Sequence, residues 1–302
     1  MPLRLALKID VDTLRGTREG VPPLMQLLRA EQVGATFLFS LGPDHTGRAI
    51  KRAFRPGFLK KVSRTSVLEH YGLKTLMYGV LLPGPHIGRS TGELLRTVSA
   101  SGFETGIHCY DHVLWQDHVA TRDAAWTAKQ MHLAADAFQR VFGRRAQVHG
   151  AAGWQMNLAA LELEEALGFS YASDTRGTTP FRPLLTGRAS RCAQLPTTLP
   201  TLDELIGVDG ITPDNVHEPL LERTLRRQDG HVFTLHAELE GMKLRPVLQK
   251  LLLGWKRQGY DIVSMETLSR SLDVERLPVC EVIQGEVPGR SGTLACQGSP
   301  RH

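Results

Sequence analysis

Two groups of residues can do chemistry together: Asp10-Val11-Asp12 near the start of the chain, and His108 and His112, spaced as His-x-x-x-His. One aspartate and two histidines make an oxygen-and-nitrogen ligand set for a catalytic divalent cation, with a position left open for water. The other aspartate is then free to act as base, because the cation lowers the pKa of its water and the carboxylate takes the proton.

The elements around these residues would bring them together. Leu3-Arg4-Leu5-Ala6-Leu7-Lys8-Ile9 alternates apolar and polar residues as a strand does, which puts Asp10 and Asp12 at its carboxyl end with both side chains on one side. Gly102–Ile107 reads as a second strand ending at His108. Further strands are predicted at Ala35–Ser40, Ala146–His149, Phe169–Ala172 (leading to Asp174), Val232–Leu235 (leading to His236) and Tyr260–Val263. Helical spacing of apolar residues predicts helices over Val21–Glu31, from about residue 92 to the strand before His108, over Arg122–Phe142 and over Leu158–Leu167. This βα alternation argues for a parallel α/β barrel or a doubly wound sheet, with ligands at the strands' carboxyl ends. From about Leu277 the chain is rich in Gly, Pro and Ser, and residues 277–302 are expected to be a disordered tail after a single domain over 1–276.

At 302 residues and 41% hydrophobic, the chain can bury one large core. Cys109, Cys192, Cys280 and Cys296 form no Cys-x-x-Cys pair, which favours a reducing compartment, and Cys109 reads as a packed thiol turned away from the histidines. With Asp10 so early there is no room for a secretory signal, and no apolar run reaches the roughly 20 residues of a spanning helix. The expectation is a cytoplasmic protein whose membrane contact is peripheral. The charge of +5 is concentrated: Arg48, Lys51, Arg52, Arg55, Lys60, Lys61, Arg64 and Lys74 face the single acid Glu69, interleaved with Phe54, Phe58, Leu59 and Val62 and followed by Leu76–Leu82. This insertion, about 45–92, reads as a basic amphipathic segment for an anionic membrane surface or as a solvated loop. Nucleic acid is disfavoured, since no nucleic-acid motif accompanies the charge.

Asp10-Val-Asp12-Thr13, His108-x-x-x-His112 and Leu235-His236, in that order and each after a strand, resemble the motifs of the NodB-homology polysaccharide deacetylases, carbohydrate esterase family four. The resemblance implies a distorted, incomplete (β/α) barrel, Asp10 as base, Asp12, His108 and His112 as metal ligands, and His236 as acid. Zn²⁺, Co²⁺ and Mn²⁺ all suit such ligands. Within the family, Asp10–Gly20, Ser40–Asp44, Ala151–Trp154, Ser173–Gly177, Pro180–Pro183 and His236–Gly241 are similar to a deformylase branch, over about residues 4–275. That similarity implies removal of formate from a formamido sugar carried on undecaprenyl phosphate, in the pathway that places a cationic aminoarabinose on lipid A and confers polymyxin resistance. Two other readings are an N-deacetylase of another amidosugar and a non-catalytic, membrane-associated sugar-binding protein. The family's third motif usually carries an Arg that orients the catalytic Asp, whereas Gly150–Trp154 has none; Arg176, beside Asp174, could supply it, or the two could form a plain ion pair. Arg15 and Arg18 are candidates for the phosphodiester, Glu238 for a sugar hydroxyl or the nascent amine, and Trp154 for the sugar's floor, each with a structural alternative.

Overall fold

A computed structural model describes residues 3–49, 73–226 and 230–301. Its architecture follows from the parity of the first strand, β1 (Arg4–Val11). Leu5, Leu7, Ile9 and Val11 point one way, into a core shared with the surrounding helices; Ala6 joins a smaller apolar cluster on the other side, followed along that face by Lys8 and Asp10. The polar face of β1 is therefore the inside of a barrel rather than a solvent face.

Seven more strands share this sheet: β2 (Thr36–Ser40), β3 (Glu104–Cys109), β4 (Val148–His149), β5 (Tyr171–Ala172), β8 (Ala193–Gln194), β9 (His231–His236) and β10 (Asp261–Val263). All pairings in it are parallel, in the order β10-β1-β2-β3-β4-β5-β8, with β9 on the other flank of β1. Between β8 and β9 the ring is bridged by loop contacts, with Thr198 N donating to Val232 O (3.1 Å) and the Thr197 and Thr234 hydroxyls 2.6 Å apart. This is an incomplete parallel barrel, as expected.

Helices α1 (Val21–Ala30), α2 (Leu73–Met77), α3 (Ile87–Ala100), α4 (His112–His118), α5 (Ala124–Phe142), α6 (Leu158–Leu167), α7 (Leu202–Leu205), α8 (His217–Arg226), α9 (Arg245–Arg257) and α10 (Met265–Ser269) complete the βα alternation. Among the described residues no helix is long and apolar enough to cross a membrane. Residues 50–72, with most of the basic segment, lie outside the described residues. Its apolar continuation leaves Val80, Leu81 and Leu82 exposed at 57%, 74% and 36%.

The expected disordered tail is instead folded. β11 (Val279–Glu286) and β12 (Thr293–Arg301) form an antiparallel hairpin, and β11 pairs with β6 (Arg182–Leu185), itself joined to β7 (Arg188–Ala189). Composition misleads here because the hairpin borrows its burial from the barrel. Cys280, Leu294 and Ala295 are buried, Arg176 N donates to Ala295 O (2.9 Å), and Gln297 N returns a bond to Arg176 O (2.8 Å).

Candidate active site

The register of β1 against β9 sets Asp10 beside His236. On the opposite flank β2 and β3 carry His108 into the barrel, and α4 begins with His112, its N-terminus capped by Asp111, which accepts from Leu114 N at 3.1 Å. Asp12, just beyond β1, lies between the histidines: Oδ1 is 3.2 Å from His108 Nε2 and Oδ2 is 3.4 Å from His112 Nε2. One ligand atom from each of the three residues falls within 4.8 Å of the others.

Two observations fit this trio to a divalent cation. His108 Nδ1 donates to Gly150 O (2.6 Å), which fixes the tautomer and leaves Nε2 with a lone pair toward Asp12. Asp12 Oδ1 and Asp10 Oδ1 are buried without a hydrogen bond, a costly state that a cation beside them relieves. Burial alone would raise the Asp12 carboxyl, yet the imidazoles of His112, His108 and His236 around it hold it well below the usual carboxylate range. Glycine is required at 150, since a Cβ there would stand 2.4 Å from Leu38 Cδ1 and 3.0 Å from Lys8 Cε.

Lys8 is the principal residue absent from the sequence-based set. Fully buried, its Nζ donates to Ser173 O at 3.0 Å and stands 3.3 Å from Asp10 Oδ2. It places a cation beside Asp10, the position for which Arg176 was considered. Arg176 turns instead to Glu204 (2.6 Å) and Leu199 O (3.2 Å). Asp174 does not pair with it either. Tyr171 faces into the barrel and Asp174, three residues on, faces out, where it joins His149 (2.9 Å), Gln194 (2.6 Å) and Ala151 N (2.6 Å).

The other candidates divide. Trp154 is 2% exposed and packs rather than lining an open floor: Nε1 donates to Thr197 (3.1 Å), and Lys8, Arg176 and Arg290 approach its ring at 5.3, 5.0 and 4.8 Å. Its edge-on approach to His236, with centroids 6.5 Å apart, makes it a wall behind that histidine. Glu238 is buried and holds the loop after β1: Oε1 accepts from Asp12 N (3.1 Å), Thr13 N (2.9 Å) and the Thr13 hydroxyl (2.8 Å). Burial and the nearby Asp12 charge push it up to about 8. A Cβ at Gly16 would stand 2.0 Å from its Oε1. Glu240, also pushed up to about 8 by burial, accepts from His236 N at 2.8 Å and so steadies the end of β9. Arg15 pairs with Glu19 at 2.9 Å, and Arg18 is exposed.

No family model matches the chain. It is similar to curated proteins over nearly its whole length: 35% identical over 297 residues to the probable 4-deoxy-4-formamido-L-arabinose-phosphoundecaprenol deformylase ArnD of Shewanella sediminis, covering 98% of this chain and 95% of that one. The protein of the same name from Wigglesworthia glossinidia brevipalpis is 31% identical over 284 residues, covering 93% and 98%. Among solved structures, a candidate polysaccharide deacetylase from Mycobacterium smegmatis superposes with a TM-score of 0.64 at 17% identity, covering 94% of each chain. That likeness identifies the fold as the distorted barrel of the polysaccharide deacetylases.

Proposed function

Since this chain belongs to the family of 4-deoxy-4-formamido-L-arabinose-phosphoundecaprenol deformylases, we propose that it hydrolyses the N-formyl group of that lipid-linked sugar, giving formate and the amino sugar lipid used to modify lipid A. The observation that carries this reading is the placement of Asp10 and His236 side by side on adjacent strands, next to Asp12, His108 and His112. A hydrolytic amide site needs a base for water, an acid for the leaving nitrogen and an electrophilic centre between them.

Asp12, His108 and His112 would hold one divalent ion, Zn²⁺, Co²⁺ or Mn²⁺ by their chemistry. When bound, such an ion supplies Lewis-acid polarisation of the amide oxygen and makes water more acidic. Asp10, kept beside the Lys8 cation at 3.3 Å, takes the proton from the attacking water as its oxygen bonds to the formyl carbon. His236 gives a proton to the sugar nitrogen as the C–N bond breaks, so that the nitrogen leaves as a neutral amine rather than an amide anion. Trp154 and Glu240 hold His236 from behind and through its backbone.

The substrate's polyprenyl chain stays in a bilayer, so the enzyme works at a membrane surface, on the cytoplasmic side in this reading. Exposed Val80, Leu81 and Leu82 support that placement, as does the basic sequence preceding them.

The test is formate release from the lipid-linked formamido sugar, with chelator and metal add-back. Formate release that stops with chelator and returns with metal is expected, and His236→Ala should keep the metal while losing about 10²- to 10⁴-fold in turnover. Acetate release from acetylated sugars without formate release would overturn the deformylase reading in favour of an N-deacetylase. No amide hydrolysis by metal-replete protein would leave a binding protein.

A further inference from the structure

A depression of about 610 Å³ opens at the start of α3, and its lining is basic. Its walls are the first half of α3 with the residue before it, the later part of α5 and the helical turn Gly16–Gly20, which contribute His86, Arg89, Arg96, Arg140 and Arg18, with Glu93 the one acid in the lining. Arg18, Arg89 and Arg140 are exposed and, among the described residues, make no ion pair. Arg96 donates to Val141 O at 3.3 Å, tying the two helices across the cleft. The charges converge: burial first, and then Arg89 and Arg140, push the His86 imidazole toward its neutral form. α3 also starts here without a side-chain cap, so the positive end of its dipole adds to the same field.

Two contacts give the cleft a context. His86 meets Tyr110 edge-on, with Nε2 3.4 Å from the hydroxyl, and Tyr110 lies in the chain between His108 and His112. On the other side, Leu82 of the exposed apolar tip precedes His86 by four residues, which span at most about 14 Å. The basic cleft is thus linked to the candidate metal-binding histidines through Tyr110 and to the apolar tip through the four residues before His86. Arginine's planar, weakly hydrated guanidinium suits phosphodiester oxygens, and an apolar surface next to such a site suits the acyl or prenyl chain attached to the phosphate.

We infer that the cleft formed by Arg18, Arg89, Arg96 and Arg140 binds the phosphodiester of a membrane lipid. The inference deepens the deformylase reading and rests on it for the lipid's presence at the site. The phosphodiester has two sources, the undecaprenyl-linked substrate or an anionic phospholipid of the bilayer, and two measurements on one variant separate them.

The variant is Arg89→Gln with Arg140→Gln, two exposed positions outside the catalytic constellation, with Arg257→Gln on α9 as a control for charge loss elsewhere. Unchanged metal content and melting temperature verify the fold. In the first arm, wild type and variant are sedimented with vesicles of phosphatidylglycerol and phosphatidylcholine, and with phosphatidylcholine alone. Each basic residue near an anionic surface gives roughly fivefold in partitioning, so a fall of about 30-fold on the phosphatidylglycerol vesicles assigns the cleft to bilayer phospholipid. In the second arm, KM and kcat are measured with the lipid-linked substrate in neutral detergent micelles, free of phospholipid. A rise in KM of about tenfold or more with kcat kept assigns the cleft to the substrate's own phosphodiester. Vesicle binding and KM both within twofold of wild type would overturn the inference. Failure of the deformylase reading looks different: the wild type would release no formate, while the vesicle arm still reports on the cleft.

Discussion

Two buried clusters in this barrel have nearly the same composition and opposite fates. Asp12, His108 and His112, with Asp10 and His236 adjoining, lie inside the barrel; His149, Glu164 and Asp174 lie between the strands and α6. Each trio brings its ligand atoms within 4.8 Å. The second is closed on itself: His149 Nδ1 is 2.9 Å from both carboxylates, Gln194 Nε2 donates to Glu164 (3.1 Å) and to Asp174 (2.6 Å), and Ala151 N donates to Asp174 (2.6 Å). Burial and the neighbouring Asp174 push Glu164 well above the usual range, while Asp174, held against burial by His149, falls to about 2. Every ligand-type atom of this trio that faces inward is thus answered by another protein group. Around the first trio, Asp10 and Asp12 each retain an unbonded carboxylate oxygen, and His236 is partly buried. We propose from this contrast that a histidine–carboxylate set serves as a metal site when the protein leaves it unsatisfied, and as a structural knot when a glutamine completes it.

The strongest test of that contrast is Asp12→Asn combined with His108→Ala. Bound metal should fall from one equivalent to none, with formate release down about 10³-fold or more. Metal retained by this variant would mean that the closed cluster also binds an ion, and the comparison would break. Lys8→Met, which removes the charge while roughly keeping the shape, should lower turnover about 10²-fold with metal content unchanged, because Asp10 loses the buried ammonium at 3.3 Å. Unaltered turnover would show that the carboxylate needs no such partner. The smallest effect is expected from Glu164→Gln in the closed cluster: a cost of about 1–2 kcal/mol in denaturant titration, with formate release within about twofold. Its pH signature sharpens the point. Stability from a neutral Glu164 is complete below the ordinary carboxylate range and is lost as pH rises through its raised pKa, so the glutamine variant should show a flatter decline on the alkaline side. An equally steep decline would place the proton elsewhere.

The trio itself was legible because ligand-type residues stand at strand ends, where periodicity locates them. Lys8 was not, since a lysine in an alternating strand reads as facing water, and only a closed ring of strands turns that face into an interior. The same blindness to parity put Asp174 and Arg176 at the site: the strand's end is visible, but which way a residue just beyond it faces depends on where the chain turns. His149 gave little sign, because its partners Glu164 and Gln194 belong to separate elements that pattern alone does not bring together. Glu238 was readable as a functional neighbour of His236 but not as a prop for the loop after β1, and nothing in the pattern singled out Glu240 as a support for the strand. The C-terminal hairpin was hidden by its composition, since the surface that orders it belongs to other parts of the chain.

The position of β1 has a consequence for synthesis. The three candidate ligand residues lie between positions 12 and 112 and pair mainly with one another, whereas the β9 flank of β1 and the loop contact from Glu238, 226 residues from Asp12, come much later. On the ribosome, β1 therefore stays unpaired on that flank, with a buried-type lysine exposed, until residues 231–238 have emerged. Ligand capture can precede barrel closure, and a cation gathered early would hold β1 against β3 while the missing wall is still being made. Cellular metal supply would then govern the yield of folded protein as well as its turnover.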